Sequence, residues 1–242
     1  MKKIVTLLVM LVFVVFAQAQ EFEKDVISTS EGDMEITFVG HGTLMMEFSG
    51  KVVHIDPVSM FADYTNMPKA DLILITHDHP DHLDAKTLDL LKKEGTELVL
   101  PPSCNEKYAG TAVLKNGESG TYAGIKVDAV PAYNLKNEAA PGNPFHPKGV
   151  GNGYVLTFGD KKVYVAGDTE NIPEMARLKN IDVAFLPMNV PYTMTPEMVA
   201  KATQLFKPKV LYPYHFSGTN TDELAELLKT QTYTELRIRK LE

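Results

Sequence analysis

The feature that most constrains this chain is a nine-residue stretch, THDHPDHLD, at residues 76–84. It contains three of the chain's seven histidines, interleaved with three aspartates. It directly follows an unbroken apolar run, Leu72-Ile73-Leu74-Ile75, which is typical of a strand covered on both faces. The fold must therefore bring the end of a buried strand to an accessible edge, where its polar side chains can meet a common partner.

The spacing of these polar side chains predicts a metal site. In an extended chain, residues i and i+2 point the same way, so the imidazoles of His77 and His79 can reach one ion. Asp81 and His82 are adjacent and their side chains diverge, so they can serve a second ion. The alternative is a solvated polar loop before a helix, and Asp84 fits that alternative as a first-turn acid. Asp84 could also support a metal ligand through a hydrogen bond.

The first nineteen residues predict a secretory signal peptide. Met1-Lys2-Lys3 is a short basic start, residues 4–16 are apolar except for Thr6, and Ala17-Gln18-Ala19 has the small-x-small pattern of a cleavage site. A membrane-spanning helix needs roughly 20 apolar residues, and this run is shorter. We predict cleavage after Ala19, a periplasmic or secreted product and no stable membrane span after cleavage. An uncleaved N-terminal anchor is the alternative.

Charge and cysteine content exclude several classes of protein. Removal of residues 1–19 takes away two lysines and no acid, so the formal charge changes from −7 to −9. Binding to nucleic acid requires a basic face for phosphate contacts, and we therefore expect no nucleic-acid partner. Cys104 is the single cysteine, which excludes an internal disulfide framework and a cysteine-based metal cluster. Histidine and carboxylate side chains must hold any transition metal.

Hydrophobic patterns predict one domain at residues 20–242, in which hairpins mix with strand–helix units. The predicted strands are Glu35–Val39, Thr43–Phe48, Val52–Ile55, Asp71–Ile75, Glu97–Leu100, Ile125–Val130, Tyr154–Phe158, Lys161–Ala166, Ile181–Leu186, Val210–Tyr212 and Tyr233–Leu241. The predicted helices are Pro80–Glu94, Thr195–Phe206 and Asn220–Thr230, and residues 22–33 are predicted to be a polar lead-in. Two mixed sheets that face each other, with helices outside, satisfy this α/β pattern.

From residue 20 onward the sequence resembles the metallo-β-lactamase superfamily of metal-dependent hydrolases. That family follows its H-x-H-x-D-H motif with a third histidine, a metal-bridging aspartate and a last histidine, each at a strand end. Ala166-Gly167-Asp168-Thr169 matches the bridging aspartate, and Tyr212-Pro213-Tyr214-His215 matches the last histidine. Taken alone, Asp168 could be a turn residue and His215 a residue at the edge of the core. The resemblance implies a four-layer αββα sandwich that holds two divalent ions, with zinc favoured and manganese or iron as alternatives.

The third histidine departs from the family pattern. His146 is the only histidine between His82 and Asp168. In many relatives this histidine directly follows a strand, whereas here Asn134 stands at the expected place. Either His146 folds back from a long loop and completes the first metal site, or that site lacks one imidazole. We predict the former, with Asn134 as an amide that orients a ligand or faces the substrate.

Three residues before the motif complete the set of candidates. Asp56 in Val53-His54-Ile55-Asp56-Pro57 matches an aspartate that supports the metal loop in the family, so we expect it to accept a hydrogen bond and orient a ligand. His54 points away from Ile55 and is predicted to be structural. His41 in Gly40-His41-Gly42-Thr43 is either a loop residue or a proton donor at the cleft.

The resemblance also implies a function. The G-H-G-T and F-H-P-K-G stretches resemble the branch that contains L-ascorbate-6-phosphate lactonase and the N-acyl-phosphatidylethanolamine phospholipase D-like enzymes. A metal-bound hydroxide would attack a lactone, an amide or a phosphate ester of a small molecule, with Asp168 bridging the ions and Asp81 holding one ion and the attacking water. The alternative is a non-catalytic metal- or ligand-binding envelope protein with a degenerate site, which the displaced third histidine favours.

Overall fold

The computed structural model describes residues 20–241, and the predicted signal peptide lies outside these residues. The strands are β1 (Glu23–Thr29), β2 (Gly32–Gly40), β3 (Thr43–Phe48), β4 (Lys51–Ile55), β5 (Leu72–Leu74), β6 (Glu97–Leu100), β7 (Ala112–Val113), β8 (Ser119–Tyr122), β9 (Ile125–Ala132), β10 (Glu138–Ala140), β11 (Asn143–Pro144), β12 (Gly151–Phe158), β13 (Lys161–Val165), β14 (Val183–Pro187), β15 (Val210–Tyr214) and β16 (Glu235–Leu236). The α-helices are α1 (Ala85–Leu91), α2 (Pro102–Lys107), α3 (Pro196–Phe206) and α4 (Thr221–Leu228), and a 3₁₀ helix spans Pro173–Arg177. Within residues 20–241, no helix has the length and apolar character needed to cross a membrane.

Two seven-stranded mixed sheets form the centre of the fold. The first has the order β1-β2-β3-β4-β5-β6-β7, and the second has the order β16-β15-β14-β13-β12-β9-β8. In each sheet the strands that come first in the chain pair antiparallel and the later ones pair parallel, with the change at β4 in the first sheet and at β13 in the second. The two halves of the chain therefore repeat one pattern, and β10 and β11 form a separate small hairpin.

Three apolar clusters hold the layers together. The largest lies between the sheets, where the Phe38 ring is 5.0 Å from the Tyr212 ring and the Phe48 ring is 5.4 Å from the Phe158 ring. A second cluster packs α3 and α4 on the outer face of the second sheet, and a third packs α1 and α2 on the outer face of the first. Burial of these apolar surfaces from water drives the assembly of the layers. The predicted four-layer αββα arrangement is confirmed.

Three local predictions were wrong. Residues 22–33 are not a lead-in, because β1 pairs along its whole length with β2 as a polar edge strand that buries little side chain. The predicted helix from Pro80 begins only at Ala85, since the Asp84 side chain caps it by accepting a hydrogen bond from the amide of Lys86. Of the predicted strand Tyr233–Leu241, only β16 pairs with the sheet.

The strand ends place the candidate residues on one edge of the molecule. Asp56 directly follows β4, and the H-x-H-x-D-H motif follows β5 in the same sheet. Asp168 follows β13 and His215 directly follows β15 in the opposite sheet. Because the carboxyl ends of parallel strands meet at one edge, the fold brings these two groups face to face.

Candidate metal centre

A first cluster of three imidazoles forms at the end of β5. Ligand atoms of His77, His79 and His146 lie within 4.8 Å of one another. The ring centroids of His77 and His146 are 5.0 Å apart, and those of His79 and His146 are 4.9 Å apart. His77 and His146 are buried and His79 is partly exposed, so the cluster opens to solvent on the His79 side.

Asn134 fixes the position of His146. The Asn134 Oδ1 accepts hydrogen bonds from the backbone amide of His146 and from its ring Nδ1, both at 2.7 Å. The backbone amide of Asn134 donates in turn to the backbone carbonyl of His146 at 2.9 Å. With Nδ1 held in this way, Nε2 of His146 lies 3.3 Å from Asp168 Oδ2. The long loop thus folds back and brings His146 beside His77 and His79, with its Nδ1 hydrogen-bonded to Asn134.

A second cluster faces the first across Asp168. Oδ1 of Asp168 lies 3.6 Å from Nε2 of His82, and Oδ2 lies 3.4 Å from Nε2 of His215. Oδ2 of Asp168 also lies 3.9 Å from Nε2 of His77 in the first cluster. The carboxylate therefore stands between the two groups of imidazoles, which is the position expected of a bridging ligand.

Asp81 belongs to the second cluster. Its Oδ2 lies 3.5 Å from Nε2 of His215 and 3.7 Å from Nε2 of His82. The carboxylate is about one-third exposed, whereas that of Asp168 is almost fully buried. Asp81 therefore faces the open side of the centre, where a substrate can approach.

Asp56 orients His82 of the second cluster. Its Oδ2 accepts a hydrogen bond from His82 Nδ1 at 2.8 Å and one from the Thr76 hydroxyl at 2.6 Å. Its Oδ1 accepts a third from the Thr76 amide at 2.7 Å. These bonds fix the His82 tautomer with Nε2 facing Asp168, as carboxylates commonly do for metal-ligating imidazoles.

The buried polar atoms at this centre fit a divalent metal site. Nε2 of His77, His82, His146 and His215, together with Oδ1 of Asp168, are buried and have no hydrogen-bond partner among the described residues. Each unsatisfied buried polar atom costs about 1–3 kcal/mol, so a bound group that these atoms can coordinate would stabilise the centre. Imidazole nitrogen and carboxylate oxygen are the ligands that divalent zinc prefers in proteins.

The surroundings of these side chains favour the protonation states in which they bind metal. Burial lowers the pKa of His77 well below 6.5, and burial together with the neighbouring His146 lowers the pKa of His79, so both rings are neutral at neutral pH. Burial raises the pKa of Asp168, but the surrounding imidazoles, with His215 foremost, outweigh it and hold that pKa well below its usual range. A neutral imidazole and an ionised carboxylate are the forms that bind metal.

His82 behaves differently in the metal-free chain. Burial lowers its pKa, but the carboxylates of Asp168, Asp56 and Asp81 outweigh burial and raise the pKa to about 9. A cation at Nε2 is therefore strongly favoured, and a metal ion satisfies the same field without the proton.

The other sequence candidates lie in different surroundings. His41 lies beside the second cluster, with Nε2 3.3 Å from Asp81 Oδ2. The carboxylate of Asp84 accepts from Ser59, Lys86 and Thr87 and so caps α1, which corresponds to the first-turn alternative rather than to contact with a ligand. His54 is buried away from the centre, with its Nε2 3.0 Å from the carbonyl of Pro68.

Two residues of the site escaped the sequence analysis. Glu170 is fully buried, and its Oε1 accepts hydrogen bonds from the amides of Lys136 and Asn137 at 3.0 and 2.7 Å. It thereby anchors the loop that carries His146. Ser217 Oγ lies 3.2 Å from Nδ1 of His41. The only sequence signal for either residue is its position two residues after a predicted ligand.

Comparison with known proteins agrees with this geometry. The profile of the beta-lactamase superfamily domain matches residues 35–215, which span all the clustered residues. A UPF0173 metal-dependent hydrolase from Ligilactobacillus salivarius is 32% identical over 197 residues, covering 76% of this chain and 85% of the relative. The chain belongs to the UPF0173 family of this superfamily. The superfamily resemblance seen in the sequence is thus confirmed.

Solved structures share the fold of this UPF0173 member. A structure from Parabacteroides distasonis, described as that of a candidate metal-dependent hydrolase, has a TM-score of 0.87 and 46% identity, and the match covers 92% of this chain and all of that one. Igni18, a metallo hydrolase from Ignicoccus hospitalis, has a TM-score of 0.69 and 25% identity, covering 85% of this chain and 94% of its own.

Proposed function

We propose that this protein is a hydrolase with a dinuclear metal centre that cleaves a lactone, an amide or a phosphate ester of a small molecule. One observation carries the proposal. Of the seven histidines in the chain, all but His54 lie in three groups of potential ligand atoms, one of which includes Asp81 and another Asp168. Such convergence from both sheets is unusual for structural histidines and is the arrangement that metal-dependent hydrolysis requires.

The residues assign themselves to two ions. His77, His79 and His146 would hold the first, Asp81, His82 and His215 would hold the second, and Asp168 would contribute to both. When bound, such ions would lower the pKa of water to near neutrality and so supply a nucleophile at neutral pH. The mixed nitrogen and oxygen ligand set suits zinc, with manganese or iron as alternatives.

The protein's own groups perform the remaining tasks. Asp56 and Asn134 keep the Nε2 atoms of His82 and His146 directed into the centre. Asp168, ionised and nearly inaccessible to solvent, would supply negative charge to both groups of imidazoles. Asp81 is more exposed, and its ionised carboxylate can accept a hydrogen bond from the attacking water. We assign it that orienting role.

The substrate class is proposed from sequence resemblance to the lactonase and phospholipase D-like branch. The test presents purified, zinc-loaded protein with a panel containing an aliphatic lactone, a chromogenic phosphodiester, an ester and an amide. We expect turnover of at least one class, its loss on chelation and its loss in His79→Ala. The His54→Gln variant, which changes a histidine outside the centre, serves as the matched control and should retain activity if it folds.

The same experiment distinguishes the proposed hydrolase from the non-catalytic alternative. That alternative arose from the displaced third histidine, and the position of His146 beside His77 and His79 removes this reason for it. Two bound ions without turnover of any class would favour a binding protein. One ion or none, with no turnover, would overturn the dinuclear proposal itself.

We also propose that the protein is exported. The proposal rests on the basic start, apolar run and Ala17-Gln18-Ala19 site within residues 1–19, which lie outside the described structure. Expression in the native cell type, fractionation and mass spectrometry of the N-terminus test it. A mature chain that begins at Gln20 outside the cytoplasm is expected, and a full-length cytoplasmic chain would contradict export.

A further inference from the structure

We propose that His41 is a direct ligand of the second metal ion, which would then be held by three imidazoles, those of His41, His82 and His215. The inference rests on the proposed dinuclear function and goes beyond it. It replaces the roles that the sequence left open for His41, a loop residue or a proton donor, with a third.

Distances to Asp81 carry the argument. Neighbouring ligand atoms that each lie about 2.0–2.2 Å from one four- or five-coordinate zinc ion are about 3.0–3.6 Å apart. Oδ2 of Asp81 lies 3.3 Å from Nε2 of His41 and 3.5 Å from Nε2 of His215. A charge-assisted hydrogen bond between nitrogen and carboxylate oxygen is shorter, about 2.7–2.9 Å. The distances from Asp81 to His41 and to His215 are therefore both those expected between two ligands of one ion.

The backbone is built to bring His41 to this position. His41 has a left-handed conformation with φ of 52°, and His215 has φ of 47°. Such angles are uncommon for residues other than glycine and cluster at functional sites. The amide of His215 donates to the carbonyl of His41 at 2.9 Å, and the amide of His41 donates to the carbonyl of Leu241 at 2.5 Å. The first bond ties the end of β2 to the end of β15 and brings the two imidazoles together, and the second fixes His41 to the C-terminal segment.

The His41 side chain is held as ligating histidines are held. It is only 7% exposed, its ring stacks on Phe61 at 4.8 Å, and its centroid lies 3.7 Å from that of His215. Nδ1 lies 3.2 Å from Ser217 Oγ, which can accept its proton. A metal-ligating histidine almost always donates its other ring nitrogen in this way, which fixes the tautomer that directs the lone pair at the ion.

The assignment makes the two sites unequal. The second ion would have five protein ligands from His41, Asp81, His82, Asp168 and His215, whereas the first would have four. A site with fewer protein ligands keeps a position open for water or substrate. The open position would then belong to the first ion, on the side of the partly exposed His79.

The test compares wild type with His41→Gln. Stepwise zinc affinities are measured by competition with a chromophoric chelator, and zinc X-ray absorption counts the imidazoles per ion. We expect the affinity for one of the two ions to fall at least tenfold and the count to fall from about 3 to about 2.5, because five of six imidazoles remain on two ions. The cobalt-substituted protein should show a changed d–d spectrum.

Ser217→Ala keeps the imidazole and removes the Oγ next to Nδ1, so it provides a second reading if His41→Gln does not fold. We expect this variant to lower the affinity for the same ion, but by a smaller factor than His41→Gln does. Unchanged affinities, imidazole count and cobalt spectrum in both variants would overturn the inference, and loss of turnover alone would assign His41 as a proton donor. Wild-type protein that binds fewer than two ions would instead overturn the proposed function.

Discussion

Oδ2 of Asp56 lies 2.8 Å from Nδ1 of His82, and both side chains are completely buried. This pair links the first sheet to the metal centre, because Asp56 follows β4 while His82 lies in the loop after β5. The Thr76 amide and hydroxyl complete the hydrogen bonding of the carboxylate. A buried charge with three donors is well satisfied, so the geometry of His82 is set before any ion binds.

Replacement of Asp56 tests this support. We expect Asp56→Asn to lower zinc affinity at the second site by about 10- to 100-fold, because the amide cannot accept from both Thr76 and His82 as the carboxylate does. Chelator competition measures the loss. The matched control is Asp84→Asn, which removes a carboxylate that caps α1 and contacts no predicted ligand. Equal affinities in the two variants would show that Asp56 does not orient His82.

Asn134 provides the corresponding test at the first site. Asn134→Ala removes the oxygen that holds both the amide and Nδ1 of His146, so we expect the affinity for the first ion to fall about 10- to 100-fold. The control is Asn137→Ala, which removes a side-chain bond from the same loop to the carbonyl of Thr193 but leaves His146 in place. Metal affinity in the control should stay within a few-fold of wild type. If both variants lose affinity equally, loop anchoring rather than orientation of His146 is the cause.

Close packing at Gly42 predicts a selective effect on the second site. A Cβ atom at this position would meet Cε1 of His82 at 2.9 Å, closer than real side chains approach. We expect Gly42→Ala to displace the His82 imidazole and to lower the affinity for the second ion at least tenfold, since overpacked cores force side chains off their rotamers. Gly151→Ala is the comparison, because its Cβ would meet His77 Cβ at 3.3 Å and therefore perturbs the first site. Zinc titrations that show the same site affected in both variants would refute the prediction.

His54 predicts a pH dependence of stability that is independent of the metal centre. Burial lowers its pKa from 6.5 to about 4 in the folded chain. The unfolded chain then binds more protons between these values, so stability falls as pH decreases from 6.5 to 4 and is unaffected above that window. Integrated over this pH window, the free energy of unfolding decreases by about 3 kcal/mol.

The measurement is urea unfolding in the presence of chelator at several pH values between 7 and 4. His54→Met removes the titrating group while keeping a side chain of similar volume, so its unfolding free energy should decrease less than that of wild type. The difference between the two slopes isolates His54 from the other histidines, which are present in both chains. Parallel pH profiles would mean that His54 accepts its proton in the folded state.

Local sequence was sufficient to predict much of the site. His77 and His79 alternate along an extended segment just beyond a strand, and this local periodicity holds in any fold that buries the strand. The positions of Asp168 and His215 followed from matching strand ends to a family pattern, and most strand boundaries from β2 to β15 agree with the apolar runs. Polar β1 escaped prediction, because edge pairing through backbone hydrogen bonds leaves no hydrophobic alternation in the sequence.

Only the tertiary structure placed His146, rather than Asn134, beside His77 and His79, and only it brought His41 to Asp81. Contacts between residues far apart in sequence, such as the 2.9 Å bond from the His215 amide to the His41 carbonyl, depend on how the two sheets face each other. No local propensity encodes that juxtaposition. The sequence by itself determined which chemical groups end the strands and that they suit a metal. The packing of the two sheets determined which of these groups meet, because burial of the shared apolar core sets the distance between strand ends.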